Sequence, residues 1–178
     1  MLNPVPDFVW KYYQPMGGVK TMLELGQKKT VSIGITYKDY FESIGLEHTS
    51  IDWGGKHGAI KRDLRKPLWS EFGQFDMVTN IGTTEHVTNQ AMVWENIHNM
   101  TKPGGWVVSH CPYPGNWPGH GMFYPTREFY AQFAELNGYK IEKIGEDSPS
   151  PKTVLQARLL KLNDKPFIMP DQSTIRRC

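Results

Sequence analysis

The sequence predicts a single α/β domain, a mostly parallel sheet with helices on both faces. Three observations lead there. The chain has 178 residues, about one domain at ~150 residues each. Short apolar runs of strand character alternate with segments whose apolar residues repeat at helical spacing, which calls for parallel strands joined by helical crossovers. The last two strand-like runs follow one another with no helix between them, and that predicts an antiparallel pair. Hydrophobic residues make up 39% and charged residues 21%, enough to build a core and too apolar for a disordered chain.

The elements follow in order. After an aromatic lead-in (Phe8, Trp10, Tyr12, Tyr13), Val19–Leu25 is a short buried strand ending at Gly26. Tyr37, Tyr40, Phe41 and Ile44 fall on one helical face and predict a helix over Thr36–Ile44. Thr36 and Asp39 form a capping-box pair at its start, and Gly45 suits its end. His48–Trp53 is the second strand, Ala59–Leu64 a shorter third, and Phe75–Ile81 the strongest. A helix over Asn89–Met100 presents Val93, Ile97 and Met100 on one face, and Pro103-Gly104-Gly105 stops it. Gly105–Cys111 is a fifth strand. Pro112–Pro125 holds four Pro and three Gly and reads as a long shaped loop. Thr126 caps a helix with Phe129, Phe133 and Leu136 facing inward, closed by Asn137-Gly138. Tyr139–Ile144 and Val154–Leu162 are the antiparallel pair, separated by Glu146–Lys152. The domain core is therefore about 19–162, and 163–178 is a tail without periodicity, either an extended strap or a mobile end.

Composition excludes several classes. Twenty Lys+Arg against 18 Asp+Glu leave a net charge of +2, too even for affinity resting on many phosphate contacts, so no nucleic-acid partner is expected. Two cysteines, Cys111 and Cys178, are too few for a disulfide framework, and Cys111 after its apolar run reads as a buried thiol. The N-terminal segment lacks the pattern of a secretory signal, and no run approaches ~18 apolar residues. The expectation is a cytoplasmic protein with no membrane contact. Gly and Pro, 17 and 13, and 12% aromatic residues point to loops shaped around a ligand.

In a parallel α/β sheet, ligands sit beyond the carboxyl ends of the strands. Those ends are Glu24-Leu25-Gly26, Asp52-Trp53, Asp63-Leu64, Asn80–Glu85 and His110-Cys111, and they hold most of the polar residues of interest. The succession MLELG, SIDW, KRDL, FDMVTNIGTTEHV and KPGGWVV, spread over Met22 to Leu162, resembles the class I S-adenosylmethionine-dependent methyltransferases. The nearest branch is the small-molecule, type 11-like group, in which strand four reads FD-V followed by EHV and the next helix ends in KPGG. The resemblance implies a Rossmann-like sheet of seven strands with the last antiparallel. It implies S-adenosylmethionine as cofactor and methyl transfer to a small molecule such as a sugar or other metabolite.

Carried over position by position, the resemblance puts Glu24 and Gly26 at the methionine end of the cofactor. Asp52, 26 residues after Gly26, falls where the family's acid grips the ribose hydroxyls, with Trp53 beside it. Asp63 and Leu64 match the pair that recognises adenine. The segment Asn80-Ile81-Gly82-Thr83, after strand four, lines the sulfonium side, with Asn80 and Gly82 its cofactor residues, and Glu85-His86 face the acceptor. The chain departs from the family after Gly26. Gln27, Lys28 and Lys29 stand where small residues are usual, and the next glycine is Gly34. That departure supports a second reading, a catalytically inactive binding module on the same fold.

Methyl transfer to nitrogen or oxygen calls for a positioned base, and histidine suits that role near neutral pH. His86, in the acceptor-facing slot, is the first candidate, set against a role capping the next helix. His120, in the aromatic, glycine-hinged loop, is the second; against it, Trp117 and Tyr124 would hold the loop down with His120 left in solvent. His48, His57 and His98 read as surface or packing residues. No metal is expected: His86, His110 and His120 form a conceivable ligand set, but no pair of them has helical spacing. A D/N-P-P-Y/F motif after strand four and a G-x-G-x-x-G loop after strand one are both absent, which sets aside DNA amino-methyltransferases and nicotinamide dehydrogenases. The acceptor pocket is expected under Pro112–Pro125, and is either open, closed by that loop, or completed by a second subunit in a homodimer.

Overall fold

A computed structural model describes residues 17–27, 35–147 and 153–177. The aromatic lead-in, residues 28–34 and 148–152, and Cys178 lie outside the described residues. The strands are β1 (Thr21–Leu25), β2 (Glu47–Asp52), β3 (Ile60–Lys61), β4 (Phe75–Ile81), β5 (Thr101–Pro112), β6 (Phe123–Pro125), β7 (Tyr139–Asp147), β8 (Val154–Lys161) and β9 (Ile175–Arg177). The helices are α1 (Tyr37–Ser43), α2 (Trp69–Phe72), α3 (Gln90–Asn99) and α4 (Arg127–Asn137). Seven strands form one sheet in the order β3-β2-β1-β4-β5-β8-β7. The pairs β1–β2, β1–β4, β2–β3 and β4–β5 are parallel, and β8 runs antiparallel between β5 and β7.

Strand alternation divides the core between the two faces. Met22 and Met77 point to the side where Tyr37, Tyr40 and Phe41 of α1 pack. Leu23, Leu25 and Val78 point to the other, where Trp94 of α3 meets Phe129, Tyr130 and Phe133 of α4. Both helix starts are capped as their sequences predict. Thr36 and Asp39 complete a capping box on α1, and the Thr126 hydroxyl accepts from the Phe129 amide on α4. Gly138, left-handed at φ 71°, closes α4.

The structure departs from the sequence reading in four places. β3 has only two residues, so Asp63 and Leu64 lie beyond it in a turn. That turn is held by Asn96 of α3, whose side-chain amide donates to the carbonyls of Leu64 (3.0 Å) and Lys66 (2.8 Å) and accepts from the Leu68 amide (2.9 Å). β5 begins at Thr101, and Pro103-Gly104-Gly105 fall inside it rather than before it. The Phe75 amide bonds to the Met100 carbonyl at 2.8 Å, so pairing with β4 starts as soon as α3 ends and the turn becomes an irregularity in the ladder. Gly105 is required there, since a Cβ would stand 2.8 Å from the Lys102 carbonyl oxygen. Pro112–Pro125 is not all loop: its last three residues form β6 and pair with β9 of the tail. The tail is thus a strap, pinned also by Asn137, which exchanges two hydrogen bonds with the Ile168 backbone (2.9 and 2.7 Å). The fourth is α2, a one-turn helix that the periodicity does not announce.

Candidate active site

The carboxyl ends of β1, β2 and β4 and the turn after β3 surround a cleft of about 480 Å³, within the usual range for small-molecule sites. Gly26 opens its floor. Its φ is +76°, its amide donates to the Ile51 carbonyl at 2.7 Å, and any Cβ there would run into Thr83. Thr83 in turn donates its hydroxyl to the Leu25 carbonyl (2.6 Å), tying the loop after β4 to the end of β1. Only glycine permits that approach.

Asp52 ends β2 with one carboxylate oxygen accepting from the Gly54 amide at 2.6 Å, a turn that aims the carboxylate along the cleft wall. Trp53 beside it is 64% exposed, an aromatic face left open at a cleft rim. The Arg65 guanidinium lies 5.0 Å from the Trp53 ring centre and pairs with Asp63 through two side-chain nitrogens, each at 2.9 Å. The hydrogen bond from Arg65 holds the Asp63 carboxyl below its usual range. Leu64, fixed by Asn96, supplies an apolar wall.

Seven of the residues singled out in the sequence converge on this cleft: Gly26, Asp52, Trp53, Asp63, Leu64, Gly82 and His86. Two expected cofactor residues do not reach it. Glu24 is wholly buried beneath α1, its carboxylate 3.3 Å from His48 Nε2, because alternation along β1 turns it to the same side as Met22. Asn80, also wholly buried, donates to Thr84 (2.9 Å) and Ser109 (3.0 Å) and accepts from the Thr84 amide, which fixes the turn after β4. Cys111 is buried in the same pocket of side chains, and burial pushes its thiol up to about 12.

His120 lies outside the cleft lining but not in open solvent. Its Nε2 is 3.7 Å from a Glu85 carboxylate oxygen, and His86 Nε2 is 3.8 Å from the same oxygen. The two imidazole rings meet edge to face with centres 5.1 Å apart. Trp117 and Tyr124 do hold the loop down, through Trp117 Nε1 to the Thr153 carbonyl (2.6 Å) and the Tyr124 hydroxyl to the Trp117 carbonyl (3.0 Å). Anchored this way, the loop carries His120 over Glu85, at the His86 end of the cleft. His110 sits within β5 and takes no part in that group.

Sequence reasoning placed Thr83 in the segment after β4 but did not single out Arg65, Asn96 or Gly121 as contributors. It also expected little of Gln27, which lines the cleft and whose Nε2 is buried with no hydrogen-bond partner among the described residues. The only local signal for any of them is the Gly119-His120-Gly121 triplet, whose glycines flank a histidine on a loop.

A family model described as a methyltransferase domain matches residues 55–109. No curated protein matches the sequence. Among solved structures, the fold is similar to 1,6-didemethyltoxoflavin-N1-methyltransferase of Burkholderia thailandensis, solved with S-adenosylhomocysteine (TM-score 0.63, 14% identity, 86% of this chain and 76% of that one). It is equally similar to the N-methyltransferase NodS of Bradyrhizobium japonicum (TM-score 0.63, 14% identity, 88% and 94% covered). A 16S rRNA adenine N1-methyltransferase of Catenulisporales acidiphilia aligns with TM-score 0.56 at 10% identity over 89% and 93%.

Proposed function

This chain has the class I S-adenosylmethionine-dependent methyltransferase fold, and from that premise we propose that it is a methyltransferase acting on a small-molecule acceptor. The observation that carries the proposal is the cleft at the carboxyl edge of the sheet. One wall offers a carboxylate (Asp52), an exposed aromatic face (Trp53) and an apolar strip (Leu64), and the far end opens on His86. The residues suit the cofactor. Asp52 would take the ribose hydroxyls, Trp53 and Leu64 the adenine, and Gln27, which lines the cleft, carries a buried Nε2 donor with no partner among the described residues. That donor favours the enzyme over the inactive binding module, despite the scarcity of glycine after Gly26.

S-adenosylmethionine, when bound, supplies a methyl group on an already activated sulfur. The protein then has to align an acceptor and exclude water. His86, which lines the cleft, would draw the proton from an attacking nitrogen or oxygen, with His120 packed edge to face against it from outside the lining. Glu85, fully buried below them, orients both rings. A small acceptor fits the near-neutral chain better than a nucleic acid, with a net charge of only +2. No helix among the described residues is long and apolar enough to cross a membrane. The same reading keeps the enzyme in the cytoplasm, with the acceptor pocket beneath Pro112–Pro125, whether or not a second copy completes it.

Calorimetry with S-adenosylmethionine and S-adenosylhomocysteine tests the reading. Micromolar binding that weakens in Asp52→Ala supports it, and no binding at millimolar cofactor overturns it. Transfer of labelled methyl to a panel of amines and alcohols then identifies the acceptor class.

A further inference from the structure

Glu85, His86 and His120 bring three metal-ligand side chains to one point beside the cleft. Both histidine Nε2 atoms face one Glu85 carboxylate oxygen, at 3.8 and 3.7 Å, beyond the reach of an N–H···O bond. One ligand atom from each of the three side chains lies within 4.8 Å of the others. A first-row ion held at ~2.0–2.1 Å from each ligand keeps its ligand atoms roughly 3.3 Å apart. The two Glu85–imidazole separations exceed that by about half an ångström and all three ligand atoms lie within 4.8 Å, a spread that rotation of two half-exposed imidazoles can close.

The site is built from two elements, each held independently. Glu85 and His86 are adjacent on the 3-10 turn after β4, itself fixed by Asn80. His120 arrives on a loop that Gly121 lets down onto Glu85, with the Met122 amide donating to the Glu85 carbonyl at 2.8 Å. The carboxylate is wholly enclosed, and a cation beside it offsets the cost of burying its charge. The side chains of His86 and His120 remain 48% and 42% exposed, which leaves an entry path from solvent.

We propose that Glu85, His86 and His120 bind one divalent first-row transition-metal ion of the zinc type, with an open coordination position toward the cleft. Two imidazoles and one carboxylate are the donor set such ions prefer, and three protein ligands leave room for a further one. Because His86 also lines the cleft, the open position adjoins the acceptor end. Its catalytic use rests on the proposed methyl transfer. A hydroxyl-bearing acceptor would ligate the ion through oxygen, lose its proton more readily, and present the lone pair that attacks the methyl carbon as the carbon–sulfur bond breaks. With the ion bound, the imidazole nitrogens are ligands and no longer take the proton; the ion makes the bound hydroxyl more acidic, and the proton leaves to solvent water at the open mouth of the cleft.

The experiment titrates Co²⁺ into tag-free, chelator-treated protein and follows visible absorption, with no cofactor or acceptor present. The expected result is one ion per chain, displaced by Zn²⁺, with affinity falling roughly 100-fold in His120→Ala and in His86→Ala. Glu85→Gln is measured too, but the exposed His120 variant decides the matter because its folding is not in question. S-adenosylhomocysteine binding is measured separately in chelator-treated wild type and in His120→Ala. Wild type that takes up no Co²⁺ at submillimolar concentration, or variants that bind it as wild type does, overturn the metal site whatever the cofactor result. Metal uptake without cofactor binding supports the site and removes only the methyl-transfer reading.

Discussion

Gly121 lies directly on Glu85: a Cβ at Gly121 would stand 2.8 Å from Glu85 Cγ and 3.1 Å from the Glu85 carbonyl oxygen. The absence of one side chain therefore sets how closely the loop over Pro112–Pro125 approaches the turn after β4. Gly121→Ala should lift the loop and separate His120 from Glu85 and His86. A displacement of about 1 Å costs up to ~100-fold in rate for groups that must align. The expected outcome is a 10- to 100-fold fall in methyl transfer (order of magnitude,) with S-adenosylhomocysteine affinity kept, read by turnover assay beside calorimetry.

Asp52 and Trp53 form one wall of the cleft, and each tests a different contact. Loss of a charge-assisted hydrogen bond costs about 1.5–3 kcal/mol, so Asp52→Ala should weaken cofactor binding by roughly 10- to 100-fold. Trp53→Ala removes a stacking face worth about 1–3 kcal/mol for a nucleobase. Both losses are read by calorimetry, against melting temperatures that stay near wild type. Equal affinity in both variants would place the cofactor elsewhere.

Asp76 fastens the start of β4 to β1, accepting from the amides of Lys20 (3.0 Å) and Thr21 (2.8 Å) and from Lys102 Nζ (2.8 Å). Burial by itself would raise its pKa, but the bonds from Lys102, Thr21 and Lys20 outweigh it and bring the carboxyl to about 2. A folded-state pKa below the unfolded one stabilises the protein fully above about pH 4, and that stability is lost as pH falls toward 2. The difference corresponds to about 2 kcal/mol. Urea unfolding of wild type and Asp76→Asn should differ by about that much at pH 6 and converge near pH 2.

Lys161 is wholly buried, yet its ammonium is satisfied. It donates to the carbonyls of His98 and Thr101, both at 2.9 Å, and to Asp164 at 2.7 Å. It thus neutralises the carbonyl end of α3 where β5 begins. Lys161→Ala should destabilise the fold by about 3 kcal/mol, since the carbonyls lose a buried charged donor. Thermal melts would show it, and cofactor affinity measured below the melt should remain.

The element order and most strand ends were legible because the signals are local. Capping pairs such as Thr36 with Asp39, and the apolar spacing of α1 and α4, act within a few residues and were seen as such. The end of β3 was not legible. Asp63 and Leu64 look like strand residues, and only Asn96, reaching from α3, holds them in a turn. Glu24 was misplaced for a similar reason: alternation along β1 was visible, but which face α1 would cover was not.

By itself the sequence determined the alternating α/β order, the acid at the end of β2, and the Glu85-His86 pair after β4. These depend on periodicities of two and 3.6 residues and on caps, all of short range. Only the tertiary structure decided that His120, 34 residues after His86, would meet it across Glu85. That meeting requires the tail to pair β9 with β6, Trp117 to bond to Thr153, and Gly121 to let two backbones touch. Each is a contact between distant parts of the chain, and no local pattern records how closely they come together.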